Sequence, residues 1–468
     1  MSFADKLLIN GQLVAGDRTI EVLDPATGEA IAVVACASES QAQAAVAAAK
    51  SAQPAWEALG WEARMALLLI YADAIRERAQ ELTEVMVREQ GKPLAEAQGE
   101  VYYTEAFVRY FASLNLPIST IQDDASGKIE VGHSALGVVV GISPWNFPAL
   151  VPIAKLAPAL LCGNTVVLKP APTTPICTLL LAEIAQPIFP AGVVNVVTDQ
   201  NDLGTFLTGH PDVAKVTFTG STATGRKIMA NGAATLKRLT LELGGNDAAV
   251  ILSDVNVVAT AKKVFDASFY NAGQACLAIK RVYVEDSIYD AFCDAMALLA
   301  ENAVVGRGLE MSTQIGPMQN PAQFEKAQYF IEVAKRDGNI IAGGTISEGP
   351  GYFVKPTIVR DITDGSELVD HEQFSPVLPI VRIVDAEDGL ARANRSPYGL
   401  GGSVWSADAG RARALAARMQ AGTVWINQHL KFGPHIPFAG AKQSGIGVEW
   451  ADLGLAEFTQ LKVINEGY

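Results

Sequence analysis

Positive charge is scarce in this chain. Its 468 residues hold 36 Lys and Arg against 50 Asp and Glu, a net charge of −14. Phosphate-rich surfaces would be repelled, so neither nucleic acid nor a membrane is an expected partner. Charged residues of either sign make up only 18% while 49% are hydrophobic, which excludes disorder and leaves ample apolar side chain for large cores. Cysteine is sparse and scattered. Cys36, Cys162, Cys177, Cys276 and Cys293 show no paired spacing, which argues against a secreted disulfide scaffold and for a reducing, cytoplasmic setting. The histidines at 133, 210, 371, 429 and 435 lack metal-ligand spacing, so no metal site is expected. The opening residues Met1 to Lys6 lack a basic segment followed by an apolar one, so no signal peptide is expected. The longest uncharged run, Val131 to Ala154, has the length of a membrane span. Its His133, Asn146, Pro144, Pro148 and Pro152 argue against a spanning helix. Repeats, low-complexity tracts and long linkers are also missing; at about 150 residues per domain, two or three domains are expected.

What is present is periodicity of two kinds. From Gln41 to Lys92 the pattern is helical, with Leu68, Tyr71, Ala72, Ile75, Ala79 and Leu82 at 3.6-residue spacing and Gly91-Lys92-Pro93 closing the run. Ser119 to His133 is polar and reads as a loop or an edge hairpin. Short apolar runs then alternate with helical segments. Strands are expected at Leu136–Ile142, Thr165–Leu168, Val193–Val197, Lys215–Phe218 and Leu239–Leu243, with helices at Ala149–Leu161, Pro175–Ala185 and Thr222–Ala230. A second series places strands at Ala248–Leu252, Arg281–Val284, Leu378–Val384 and Thr423–Ile426, and Phe458–Asn465 is strand-like. This alternation predicts an α/β protein with parallel, doubly wound sheets in two lobes.

Four segments carry possible chemistry, each with a plainer alternative. Phe218 to Gly225 sets glycines and hydroxyls at a strand-to-helix junction, where free N–H groups and the helix dipole suit a pyrophosphate; a tight turn with Ser221 or Thr222 as N-cap explains the same residues. Cys276 follows Asn271-Ala272-Gly273-Gln274-Ala275 in a polar, turn-prone context, unlike Cys162 and Cys293 in apolar helical patterns. A thiolate nucleophile there needs positive potential or aligned N–H groups, and the alternative is a structural cysteine. Glu242 stands between leucines just before Gly244-Gly245. An apolar setting would raise its pKa and fit it as a general base, and a paired strand-end glutamate is the alternative. Ser143-Pro144-Trp145-Asn146-Phe147-Pro148 follows a strand. Its prolines stiffen a loop that either presents the Asn146 amide as a donor or is only a rigid turn.

Together and in this order these segments resemble the aldehyde dehydrogenase superfamily. The resemblance spans essentially the whole chain and also includes Gly163-Asn164-Thr165-Val166-Val167-Leu168-Lys169-Pro170, Glu372-Gln373-Phe374-Ser375-Pro376-Val377 and Pro437-Phe438-Ala439-Gly440-Ala441-Lys442-Gln443-Ser444-Gly445. It implies a Rossmann-like cofactor domain (1–118 and 138–242), an α/β catalytic domain (243–443), and a small β oligomerisation arm (119–137 with 444–468). The arm would pair with the C-terminal strand and join subunits into a homodimer or homotetramer. The resemblance makes Cys276 the nucleophile that attacks an aldehyde. The Asn146 side chain and the Cys276 N–H hold the oxyanion, and Glu242 activates the water that hydrolyses the thioester left by hydride transfer to nicotinamide. Lys169 is expected at the adenosine ribose, Gly220, Ser221 and Gly225 at the pyrophosphate, Glu372 at the nicotinamide ribose, and Trp145 and Phe374 beside the cofactor. Phe147, Leu150, Val151, Ala154, Tyr270, Leu277, Phe432 and Phe438 are expected to line the substrate tunnel.

The departures bear on specificity. Pro172 stands where relatives often carry a ribose-chelating glutamate, so NAD is favoured with weak discrimination against NADP. Ser375 and Ala439 replace glycines, and Asn246 replaces a frequent lysine. The tunnel set is aromatic and aliphatic without arginine or lysine, which points to a medium-chain aliphatic or aromatic aldehyde. A CoA-acylating enzyme is the alternative that the presence of Glu242 argues against. A non-catalytic structural member is the one that intact Cys276, Glu242 and Asn146 argue against.

Overall fold

The computed structural model describes residues 4–346 and 349–468. Valine-rich strands, buried on both faces, pair in parallel as such runs must. They form two separate sheets. The first has eight strands in the order Gln12–Val14, Leu7–Ile9, Val194–Val196, Thr165–Lys169, Val138–Ile142, Val213–Thr219, Arg238–Glu242 and Gly445–Ile446. Its five central strands are parallel; the N-terminal pair and Gly445–Ile446 run antiparallel at its edges. The second has seven strands in the order Asn339–Ala342, Thr357–Arg360, Val377–Ile383, Ile279–Glu285, Asp247–Ile251, Gly401–Trp405 and Thr423–Ile426, parallel except at Asn339–Ala342.

The helical run after Gln41 is three helices, Glu39–Ala58, Trp61–Glu77 and Ala79–Gln90. Gly60, in the left-handed region at φ 88°, breaks the first junction, and Gly91 at φ 95° closes the last helix. The polar stretch is a hairpin, Ser119–Asp124 with Gly127–Ala135, and Thr459–Gly467 pairs along the whole of its second strand. The strand expected from Leu136 begins instead at Val138. Asn164 Oδ1 accepts the Leu136 and Gly137 N–H groups at 2.7 and 3.0 Å, taking the place of a ladder partner. Gly401–Trp405 went unread because its Gly-Gly-Ser start hides strand character. Yet side chains there would collide with Asp247 and Met419.

Four lysines, Lys92, Lys155, Lys215 and Lys280, are among the largest fully buried side chains. Burying an ammonium is costly unless its donors are used. Three of them stand at one place, where the carboxyl ends of the first sheet's strands meet the amino ends of the second sheet's.

Candidate active site

Strand Val138–Ile142 delivers the chain into the Ser143–Pro148 loop, anchored by the Ser143 N–H on the Lys169 carbonyl at 3.1 Å. The Asn146 side chain is buried and donates to the Gln274 carbonyl at 2.8 Å, two residues before Cys276. The Asn146 carbonyl accepts from Lys92 Nζ at 2.9 Å and from the Asn271 amide at 3.2 Å. Lys92 is ion-paired with Glu100 at 2.5 Å and lies 4.2 Å from the centre of the Phe147 ring. The other oxygen of Glu100 takes the N–H groups of Ala149 and Leu150, at 3.0 and 3.1 Å, where helix Leu150–Leu161 begins. One buried ion pair thus fixes both the Ser143–Pro148 loop and the helix behind it.

The turn before Cys276 is left-handed at three successive residues, Asn271 (φ 51°), Ala272 (φ 55°) and Gly273 (φ 73°). For two non-glycine residues this conformation is costly and persists only when its surroundings dictate it. Those surroundings are specific. Glu96 accepts the Asn271 N–H at 3.0 Å, and the buried Gln274 amide bonds the Asn271 carbonyl, the Pro317 carbonyl and the Gln319 N–H. Burial raises the Glu96 pKa to about 8 despite Lys92 nearby. Cys276 itself is half-buried, whereas the other four cysteines are buried. Burial pushes its thiol up to about 12; Lys280 draws it down, while Asp247, Glu372 and Glu242 push it up. Lys280 supplies the positive charge a thiolate there would need, and desolvation outweighs it. Leu277 follows, its carbonyl held by His429 Nε2 at 2.8 Å.

Glu242 closes strand Arg238–Glu242 and is buried, with neither carboxylate oxygen hydrogen-bonded among the described residues. Desolvation first, and the nearby Glu449 second, raise its pKa well above the ordinary value, with Lys155 opposing. Behind it Lys155 pairs with Glu449 at 2.5 Å and bonds Thr217 at 3.1 Å, and Thr217 donates to Glu449 at 2.8 Å. The sequence set Glu242 apart; it gave no sign of Lys155 and Glu449, which are separated by 294 positions.

On the other side of the first sheet's rim, Ser221 is the N-cap of helix Thr222–Gly232, its hydroxyl accepting the Thr224 N–H at 3.2 Å. The Gly220 N–H is committed to the Glu242 carbonyl at 3.0 Å. A Cβ at Gly225 would sit 2.5 Å from Leu243, so that glycine allows the helix to approach the sheet. Lys169, expected at a ribose, is ion-paired with Asp199 at 2.7 Å, and both side chains are buried. Glu372 accepts the Gly245 N–H at 3.0 Å; burial raises its pKa, with Lys280 and Lys326 opposing. Phe374 sits at φ 51° and packs edge-on against Trp145 at 5.6 Å. The Thr219 hydroxyl, at the end of the strand that leads into the Ser221 turn, and the Ser375 hydroxyl beside Phe374 are buried without partners among the described residues. A buried hydroxyl with no partner at such a strand-to-helix junction can donate to an anionic pyrophosphate, so these residues are compatible with a dinucleotide.

The residues expected to line a tunnel fall into two groups. Leu150, Ala154, Leu277 and Phe438 belong to one buried cluster, with Cys276 and Phe432 packed against it. Phe147 stacks on Tyr270 at 6.2 Å, and Phe432 lies 5.0 Å from Tyr103. Val151 is half-buried on the same helix. Phe438 is a buried ring stacked 4.4 Å from Trp450, which the sequence had not singled out. No group of three or more His, Cys, Asp or Glu is placed to hold a metal among the described residues, nor is any described helix long and apolar enough to cross a membrane.

The family model for the aldehyde dehydrogenase family matches residues 13–464. Aldehyde dehydrogenase LUC3 of a Fusarium species is 39% identical over 460 residues, covering 98% of this chain and 97% of that protein. Among solved structures, an NADP-dependent enzyme of E. coli superposes with a TM-score of 0.97 at 34% identity, covering 100% and 98% of the two chains. Betaine aldehyde dehydrogenase of Staphylococcus aureus in complex with NAD+ does so with a TM-score of 0.97 at 30% identity, covering 99% and 95%.

Proposed function

This chain belongs to the aldehyde dehydrogenase family, and from that premise we propose that it oxidises a medium-chain aliphatic or aromatic aldehyde to the carboxylic acid through Cys276. The observation that carries the reading is the buried Glu242 carboxyl, without a partner among the described residues and near enough to the Cys276 thiol to act on its charge, beside an Asn146 amide bonded to the loop two residues before that thiol. Asn146 and the Cys276 N–H hold the oxyanion as the thiol adds to the aldehyde. A bound nicotinamide cofactor would supply the hydride acceptor. Trp145, Phe374, Glu372, Lys169 and the Gly220–Gly225 turn are the residues that would hold it. Glu242 takes the proton of the water that hydrolyses the thioester on Cys276, and Lys155 and Glu449 stand behind it to pass charge onward. In this reading 1–118 with 138–242 bind the cofactor, 243–443 carry the nucleophile, and 119–137 with 444–468 join subunits into a dimer or tetramer in the cytoplasm. NAD is favoured with weak discrimination, since Pro172 offers no carboxylate to a ribose.

The substrate class is supported by the stacked Phe147 and Tyr270 and by the Lys92 ammonium beside them being consumed by Glu100 and the Asn146 carbonyl, which leaves no free cation there among the described residues. The small Ala154 leaves the tunnel wide. Each buried methylene contributes about 0.8 kcal/mol, so three or four extra carbons raise kcat/KM by tens-fold or more. Steady-state kinetics over aliphatic, aromatic and carboxylated aldehydes, with and without CoA, test this. Ala154→Trp should depress kcat/KM for the long or aromatic aldehyde and spare acetaldehyde. Equal losses on both, a preference for succinic semialdehyde, or a strict need for CoA would overturn the reading.

A further inference from the structure

Lys280 is a buried ammonium that no step above uses. It is 1% exposed and forms no ion pair among the described residues. Its three N–H donors are matched by three main-chain carbonyls of the nucleophile loop: Ala275 at 2.6 Å, Cys276 at 3.1 Å and Ala278 at 3.2 Å. The Phe374 ring lies 5.5 Å from the ammonium. A lysine that only needed its charge neutralised would meet a carboxylate; here the whole donor set is spent on one turn of backbone.

The direction of the first bond matters most. In a trans peptide the C=O and the following N–H point opposite ways. Gripping the Ala275 carbonyl therefore aims the N–H of Cys276 away from Lys280. That N–H is the main-chain donor assigned to the oxyanion. The ammonium also polarises this amide and makes its N–H a stronger donor in a site of low dielectric. We propose that Lys280 is a positioning residue for the aldehyde reaction, orienting the Cys276 N–H through the Ala275 carbonyl and supplying positive charge to the nucleophile loop. The inference rests on Cys276 being the nucleophile. The other charged groups around the loop are Asp247, Glu372 and Glu242, which face the thiol, and Lys326, which lies near Lys280 and Glu372. Lys280 is the cation hydrogen-bonded to the loop itself.

The test compares Lys280→Met and Lys280→Arg in the full-length enzyme, with the rate of iodoacetamide labelling of Cys276 at one fixed pH below its raised pKa and with the burst of reduced cofactor. Subtracting the labelling of Cys276→Ala removes any contribution of the other cysteines. Lys280→Met should slow Cys276 labelling about tenfold, the fall in thiolate fraction at the lower end of what a lost neighbouring charge does. It should also slow the burst by at least about tenfold while the KM for cofactor changes by less than about threefold. Lys280→Arg, which keeps the charge but cannot grip three converging carbonyls, should restore the labelling rate and leave the burst slow. Lys280→Gln, which keeps amide donors and removes the charge, covers the case in which Lys280→Met does not fold; it should slow labelling as well. A folded neutral variant with a wild-type labelling rate and burst overturns the proposal. A wild-type enzyme that turns over no aldehyde, yet labels in a Lys280-dependent way, would overturn the functional reading and with it the positioning role in aldehyde oxidation, leaving only the charge that Lys280 supplies to the loop.

Discussion

The two turns that face each other across the site are built in opposite ways. The Ser221 turn is mostly local: its cap bond reaches only three residues on, to Thr224, with one longer tie from the Gly220 N–H to Glu242, and the Ser221 side chain is exposed. The turn leading to Cys276 is held from afar, by Glu96, Asn146, Pro317 and Gln319 from other segments and by Lys280 from behind. It keeps two non-glycine residues in the left-handed region. A local turn can be altered at modest cost and tolerates movement as a ligand arrives. A turn strained into place by distant partners fixes its reactive atoms but depends on every one of them.

Four substitutions sharpen this contrast. The largest effect belongs to Cys276→Ala, which should lower kcat by about a thousandfold or more while leaving cofactor binding unchanged, as read by fluorescence titration. More than a few per cent of residual turnover would place the nucleophile elsewhere. Next, Glu242→Gln should slow deacylation by about a hundredfold or more and leave the burst of reduced cofactor intact. Because burial holds Glu242 protonated well above the usual carboxylate range, only its deprotonated fraction can act as base. The wild-type deacylation rate should therefore climb with pH through that raised pKa and then level off. The variant should lack this limb, and a missing burst would move Glu242 to an earlier step.

On the opposite turn the effects shrink. Asp199→Asn frees the Lys169 ammonium from its buried partner, so a 2′-phosphate should be better received. The NADP to NAD ratio of kcat/KM should rise about tenfold, or 1.4 kcal/mol. If the wild type already prefers NAD beyond about a thousandfold, roughly 4 kcal/mol, Asp199 is the first residue to suspect of reading the ribose, and an unchanged ratio in Asp199→Asn would clear it. Smallest is Ser221→Ala, which removes an exposed cap and should cost about 1 kcal/mol in a denaturation midpoint. A loss as large as that of a core substitution would show that this turn is not local after all.

The legible part of the site follows the same division. Glu242 between leucines, the proline-stiffened Asn146 loop and the Ser221 cap are read from adjacent residues, since strand burial and turn chemistry act over a few positions. Lys92 was visible only as the end of a helical run, and Lys155 only as one position in an apolar helix. The partner of Lys169, Asp199, lies 30 positions away, and that of Phe438, Trp450, on another segment, so neither pairing was legible.

What the sequence determined by itself is the α/β alternation, the polar character of the stretch near residues 119–133, the order of the chemical segments and the residue types that each of them offers. Hydrophobic periods of 2 and 3.6 and the preferences of glycine, proline and capping residues are local energies, written where they act. Tertiary structure alone decided which buried charges meet: Lys155 with Glu449, Lys92 with Glu100, and Lys280 with a row of carbonyls. A charge taken out of water is tolerated only where partners converge on it, and convergence is a property of two sheets packed end against end, which no single stretch of chain contains.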